Sequence, residues 1–134
     1  MAKGYDQHQQ RQLTLSAFGK DLARRSKSKC ELSGAAGVAL HIYEIPPAPT
    51  EPDPARCLML SEDVIDQLNK PSRIVPDEWR GLGELIWSEI PAVQIMACRI
   101  LTHIAKEENW AQDILDEAYL DEELVEQANE SPLA

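Results

Sequence analysis

The segment Cys30-Glu-Leu-Ser-Gly34 constrains the fold most, because the apolar periodicity of the chain changes there. Before it, residues 11–26 have the apolar spacing of a helix that ends in basic residues. After it, residues 38–45 alternate as the two faces of a β-strand do. Gly34 and Gly37 suit a tight turn, since glycine readily adopts positive φ. The sequence predicts a helix, a tight turn and a strand in succession.

A proline-rich loop follows the strand. Residues 46–54 contain five prolines in nine residues and are expected to form an extended, stiff connection. Arg56-Cys-Leu-Met-Leu60 can return as a second strand, so residues 38–60 predict a β-hairpin. A polyproline ligand for a partner protein is the alternative interpretation of the loop.

The rest of the chain predicts a bundle of about four helices. Ser61 is a suitable N-cap for the first of them, and Gly81 and Gly83 predict a broken helix next. After Pro91 the apolar residues recur with sustained helical spacing, which predicts the core helix of this half. These residues are Val93, Met96, Ala97, Ile100, Leu101 and Ile104. Asn109 and Asp121 are predicted to cap the last two helices.

The fold class predicted is therefore α+β, with one helix before a small hairpin and about four helices after it. We expect a single domain over residues 11–130, made of a helix-plus-hairpin part (11–70) and a helical half (71–130). Polar, glutamine-rich residues 1–10 predict a disordered tail, and residues 131–134 a second short tail.

The net charge of −10 is unevenly distributed. Residues 1–29 hold seven Lys/Arg and two Asp/Glu, whereas residues 30–134 hold six and twenty-one. Ten acids and no Lys or Arg lie between Glu107 and the end of the sequence. An acidic surface repels phosphate backbones, and no stacking aromatics accompany the basic cluster, so nucleic-acid binding is not favoured. The pattern predicts that the basic first helix docks on the acidic last helices, within one chain or between two.

The expected setting is the cytoplasm. The sequence begins without a signal-peptide pattern, and no apolar run reaches the 18 or so residues that span a membrane. Three cysteines do not form a disulfide framework and are typical of a reducing compartment.

The chain offers few metal ligands and no specific catalytic signal. Zinc sites typically use cysteines paired two residues apart, and none is so paired here. Cys30, His41 and Cys57 could hold a metal weakly across the hairpin, while Cys98 and His103 fit ordinary positions in or beside the long helix. Cys30, Ser33, His41 and Glu44 could supply a nucleophile and a base, but their spacing does not select them. The carboxylate pairs Glu84 with Glu89 and Asp113 with Glu117 suit exposed helix faces.

Several runs resemble the PhnA family, the alkylphosphonate-utilisation operon proteins, over about residues 18–130. They are Leu22–Gly34, Tyr43–Pro47, Trp79-Arg80, Trp87–Gln94, Trp110–Asp116 and Tyr119–Asp121. The resemblance implies the zinc-ribbon and helical part of the longer members. Family members have Cys-Glu-Leu-Cys-Gly in the first zinc knuckle and two cysteines in the second. The resemblance therefore implies that the four ligand positions are held here by Cys30, Ser33, Ser61 and Val64, so that three of the four zinc ligands are replaced.

On this basis no cofactor is expected, although zinc is typical of the family. The SH3-like β domain that usually follows in the family is missing from this sequence. A fainter similarity is to treble-clef nucleases of the HNH type, but Tyr43-Glu44 stands where their histidine pair would be, so a nuclease is not expected.

The function favoured is a non-enzymatic interaction or structural module that self-associates or binds a protein partner. The alternative is a phosphonate-related small-molecule enzyme or binding protein, with a pocket between the hairpin and the long helix and with Glu44 or His41 in it. Nucleic-acid binding is the third and least favoured class.

Overall fold

The computed structural model describes residues 2–133, and these form an α+β fold, as predicted. Within them, two helices precede a two-stranded antiparallel hairpin and five follow it, one more on each side than expected. The elements are α1 Ala2–Ala17, α2 Gly19–Ser26, β1 Leu40–Glu44, β2 Cys57–Ser61, α3 Glu62–Asn69, α4 Leu82–Leu85, α5 Pro91–Ile104, α6 Asn109–Ala118 and α7 Glu122–Asn129. Short 3-10 turns occupy Pro54–Arg56, Pro71–Arg73 and Pro76–Trp79.

The N-terminal region differs from the prediction in two ways. The helix starts at Ala2, so the expected disorder of residues 1–10 is not what the structure has for residues 2–10, and Met1 lies outside the described residues. Glutamine is a good helix former, which lets the polar segment continue the helix. The single helix expected over 11–26 is broken at Phe18, and the two parts pack on the same side of the hairpin through Leu15 and Leu22.

The hairpin is shorter than its sequence pattern, because residues 38 and 39 belong to the turn that contains Gly37 at a φ of +71°. The second strand is shifted by one residue relative to the prediction. Ile42 pairs with Met59 and Glu44 with Cys57. Since paired residues share a face, these four side chains lie on the outer face of the hairpin, toward α1 and α2.

The inner face of the hairpin packs on the helical half. His41 pairs with Leu60 and Tyr43 with Leu58 on this face. Leu58 and Leu60 are fully buried in the main core, while Cys57 and Met59 belong to a smaller cluster on the outer side. The alternation predicted for the strands is therefore confirmed, and the hairpin separates two apolar clusters.

Helix α5 is the centre of the main core. Pro91 occupies its first turn, and all six residues of the predicted stripe are buried. Ser61 caps α3 as predicted, since its hydroxyl accepts a hydrogen bond of 3.4 Å from the Val64 N–H. The Asn109 prediction is wrong by one residue, because Glu108 holds the N-cap position of α6 without a side-chain bond. Asp121 occupies the N-cap position of α7, but its side chain makes no capping bond.

Candidate functional site

The tight turn at residues 30–34, hereafter the Cys30 turn, is closed by backbone hydrogen bonds. The Cys30 N–H donates to the Ala35 carbonyl at 2.9 Å, and the Gly34 N–H donates to the Cys30 carbonyl at 2.8 Å. Gly34 has a φ of +77°, a conformation that side chains rarely adopt. This backbone conformation explains why a glycine occupies position 34.

An ion pair fastens the Cys30 turn to α2 and β2. The Glu31 carboxylate accepts hydrogen bonds from the Arg25 guanidinium at 3.0 and 2.7 Å and from the Met59 N–H at 2.9 Å. Arg25 also donates to the Cys57 carbonyl at 2.8 Å. The Glu31 side chain is only 3% exposed, so this pair is shielded from water on the carboxylate side. One acidic side chain therefore joins three parts of the fold.

Three of the four ligand positions implied by the family resemblance lie together around the Cys30 thiol, which is buried. Burial alone would raise the pKa of this thiol, but hydrogen bonds from the Ser33 side chain and from the backbone of Ser61, Ser33 and Leu32 lower it below its ordinary value. The fourth position, Val64, adjoins Ser61 through the capping bond. The structure therefore brings these positions side by side.

The side chains at these positions do not fit zinc. Zinc is bound in proteins by thiolate, imidazole or carboxylate donors, usually four of them at a structural site. Val64 has no donor atom and is 1% exposed, and the Ser61 hydroxyl is engaged by the Val64 N–H. Only Cys30 offers a usable ligand.

The alternative metal site on the hairpin is not assembled either. The strand register places His41 on the inner face and Cys57 on the outer face, so these two side chains point away from each other. Cys57 donates from its sulfur to the Asp53 carbonyl at 3.4 Å. Burial, with Glu44 and Asp53 nearby, raises the pKa of the Cys57 thiol to about 11. Across residues 2–133, no three His, Cys, Asp or Glu side chains converge as a metal site would require.

Cys98 and His103 both lie in α5, one buried and one partly buried, as the sequence pattern predicts. Cys98 is buried in α5, and this burial raises the pKa of its thiol. His103 is partly buried, and its Nε2 lies 3.2 Å from the Pro71 carbonyl oxygen. Neither residue adds a ligand to the Cys30 turn.

The candidate catalytic side chains form two separate groups. Cys30 and Ser33 share the Cys30 turn, whereas His41 and Glu44 line a cavity beside α1. Cys30 is buried, whereas Ser33 and His41 are exposed. Glu44 lies on the outer face, where its carboxylate accepts a hydrogen bond of 2.9 Å from the Arg11 Nε. The four carboxylates of the two predicted pairs (Glu84, Glu89, Asp113 and Glu117) are exposed, as the helix-face interpretation expects.

A cavity of about 260 Å³ does lie between the hairpin and α5, where the small-molecule alternative places one. Its lining includes Tyr43 and Arg99 but neither Glu44 nor His41, so the two residues predicted for it are elsewhere. Arg99 was not singled out from the sequence. The signal that could have identified it is a charged residue in the middle of a buried apolar run, between Cys98 and Ile100.

Among residues 7–133, whose side chains the structure describes, the basic residues of the first two helices form no ion pair with the last helices. Within the described chain, Arg11 pairs with Glu44 and Arg25 with Glu31, both in or beside the hairpin. These two arginines therefore do not dock the first helices on the acidic last helices of the same chain.

Comparisons of the chain with protein-family models, curated proteins and solved structures found no match. Among residues 2–133, no helix has both the length and the apolar character needed to cross a membrane.

Proposed function

We propose that this protein is a non-enzymatic interaction module that associates with a second copy of itself through oppositely charged surfaces. The observation that supports the proposal is a set of exposed cations that remain in addition to Arg11 and Arg25, which form ion pairs within the chain. Lys20, Arg24 and Lys27 recur three or four residues apart along α2 and its C-cap, and all are exposed. Together with exposed Lys29 they form what we call the basic patch.

A complementary surface lies at the other end of the chain. Helices α6 and α7 expose many carboxylates and carry no Lys or Arg. The exposed acids of this acidic face are Asp113, Asp116, Glu117, Glu122, Glu123 and Glu126. Tyr119, which ends α6, is 88% exposed, and Leu13 on α1 is 68% exposed. Complementary charge on two such surfaces steers their association and sets the orientation of the partners.

A role without chemistry is supported by the division of the catalytic candidates into two groups that share no site, Cys30 with Ser33 and His41 with Glu44. We further propose that the chain is a PhnA-like protein in which zinc binding has been lost. In this proposal the Arg25–Glu31 pair and the apolar contacts of Cys30 replace the metal as the link between the turn and the hairpin. Structural zinc often stabilises small domains, so its loss has to be offset by contacts of this kind.

Light scattering after size exclusion tests the association. At about 20 mM salt, where charges are weakly screened, we expect a mass twice that of the 15.0 kDa chain. At about 0.5 M salt we expect the monomer, because screening removes most of the attraction between exposed charges. A monomer at every salt concentration and at high protein concentration would contradict the proposal.

Charge reversal provides the matched control. A Lys20→Glu/Arg24→Glu variant and a Glu122→Lys/Glu126→Lys variant should each remain monomeric at low salt, because like charges then face each other. Mixed together, the two variants should form a dimer, since each basic surface again meets an acidic one. If the mixture stays monomeric while the unmodified protein dimerises, the interface uses other residues.

A further inference from the structure

Arg99 is a buried cation in the middle of α5. The residue is 2% exposed. Its Nε donates to the Ala128 carbonyl at 2.9 Å, and one terminal nitrogen donates to the Gln127 carbonyl at 3.0 Å. The other terminal nitrogen contacts only the sulfur of Met96, at 3.7 Å. Sulfur is a weak acceptor, so this edge of the guanidinium retains donor capacity.

No carboxylate in the described part of the chain forms an ion pair with Arg99, although the protein has 23 acids and 13 bases. Its pKa is lowered, first by burial and next by the charge of Arg56 nearby. Arg56 likewise has no ion pair among residues 2–133. A buried cation is costly unless it is paired, and a second cation beside it adds to the cost. The negative charge of Glu130 acts in the opposite direction, but Glu130 forms no ion pair with Arg99. The two arginines therefore still favour an anion.

The cavity beside Arg99 offers space and further polar groups. It has a volume of about 260 Å³, and its lining includes Tyr43 from β1, Asn69 from the end of α3 and Ser131 beyond α7. Burial raises the pKa of Tyr43, so its hydroxyl keeps its proton and can donate. Leu68 and Met96 supply apolar walls. Several polar side chains beside apolar walls are typical of a small-ligand site.

We propose that this cavity binds a small oxyanion, a carboxylate or a phosphate, between Arg99 and Tyr43. The planar guanidinium matches the oxygen spacing of either group, which accounts for arginine at this buried position. This inference goes beyond the interaction function, because the cavity includes none of the residues of the basic patch or the acidic face.

The competing interpretation is that Arg99 only stabilises the end of α7, whose last carbonyls carry partial negative charge. In that case removing Arg99 would destabilise the fold and anions would have no effect. Variants of Arg99 itself cannot separate the two interpretations if they fail to fold. The test therefore uses the unmodified protein and variants of Arg56 and Tyr43.

Thermal unfolding is measured in phosphate and in acetate, with chloride at the same ionic strength as the reference. An anion that binds with a Kd of about 1 mM raises Tm by about 5–10 °C at a hundredfold excess over Kd. A rise with phosphate alone identifies phosphate as the ligand class, a rise with acetate alone identifies carboxylates, and a rise with both identifies oxyanions in general. Any of these supports the proposal.

The variants locate the effect. Tyr43→Phe should raise the Kd about tenfold or more, the value of one hydrogen bond to a charged acceptor, and Arg56→Gln should also weaken binding. Lys106→Gln is the control, because it removes the same charge from an exposed position just beyond α5, outside the cavity and the basic patch, and should leave the Tm rise unchanged. No rise with either anion, or a rise equally large in Tyr43→Phe and Arg56→Gln, overturns the proposal.

Discussion

Replacing Glu31 is the sharpest test of what holds the Cys30 turn in place. Glu31→Ala removes the acceptor of two hydrogen bonds from Arg25 and of one from the Met59 N–H. Met59 is 8% exposed, so its N–H loses its partner in a nearly dry environment. The Arg25 side chain is 26% exposed and keeps its bond to the Cys57 carbonyl.

The magnitude follows from these contacts. Breaking a buried ion pair by removing one partner costs about 3–5 kcal/mol of unfolding free energy. Because Arg25 retains partial contact with water, we expect the lower end, about 3 kcal/mol. Glu31→Gln keeps one acceptor oxygen, which can serve the Met59 N–H, but loses the charge and the acceptor of one hydrogen bond from Arg25. We therefore expect a smaller cost than for alanine, about 2 kcal/mol.

Urea denaturation measures both values from the shift in midpoint at constant m. Asp77→Ala is the matched control, since its pair with Arg80 joins side chains that are 84% and 58% exposed, and we expect a change within about 0.5 kcal/mol. If Glu31→Ala cost no more than this control, the ion pair would not hold the turn, and the reasoning would fail.

Three further predictions concern single positions. The pKa of Cys57 lies near 11, above its ordinary value, so its contribution to stability is complete below about pH 9 and is lost between about pH 9 and 11. Over that range the free energy of unfolding of the unmodified protein should fall by about 2–3 kcal/mol more than that of Cys57→Ala, and an equal fall in both would contradict this. Ser61→Ala removes the cap of α3 and should cost about 1 kcal/mol in urea denaturation, whereas a change near zero would show that the cap is dispensable. Ile100→Ala leaves a cavity at a fully buried position and should cost about 2–5 kcal/mol, and less than 1 kcal/mol would place Ile100 outside the core.

The elements with strong periodicity could be predicted from the sequence. The predicted stripe of α5 is buried throughout, and the two faces of β1 are the ones that its alternating pattern predicts, since its register pairs Tyr43 with Leu58 and Ile42 with Met59. The Ser61 cap could also be predicted from the sequence, because a hydroxyl before two acids is a local signal for the start of a helix. These features depend on residues close together in the chain.

The features that could not be predicted from the sequence depend on contacts between residues far apart in the chain. The break at Phe18 lets α1 and α2 both pack on the outer face of the hairpin, and Gly19, the one local signal for it, does not by itself predict that packing. The burial of Arg99 depends on the carbonyls of Gln127 and Ala128, 28 and 29 residues away. The separation of His41 from Cys57 depends on the register between β1 and β2, which the pattern of either strand alone does not specify.

The central claim is that the Cys30 turn keeps its conformation through Glu31 and the surrounding hydrogen bonds, without a metal. Elemental analysis of the protein purified without a histidine tag tests this directly. We expect well under one zinc per chain, because Ser33, Ser61 and Val64 supply no ligand of the kind that zinc requires. A content near one zinc per chain would contradict the account.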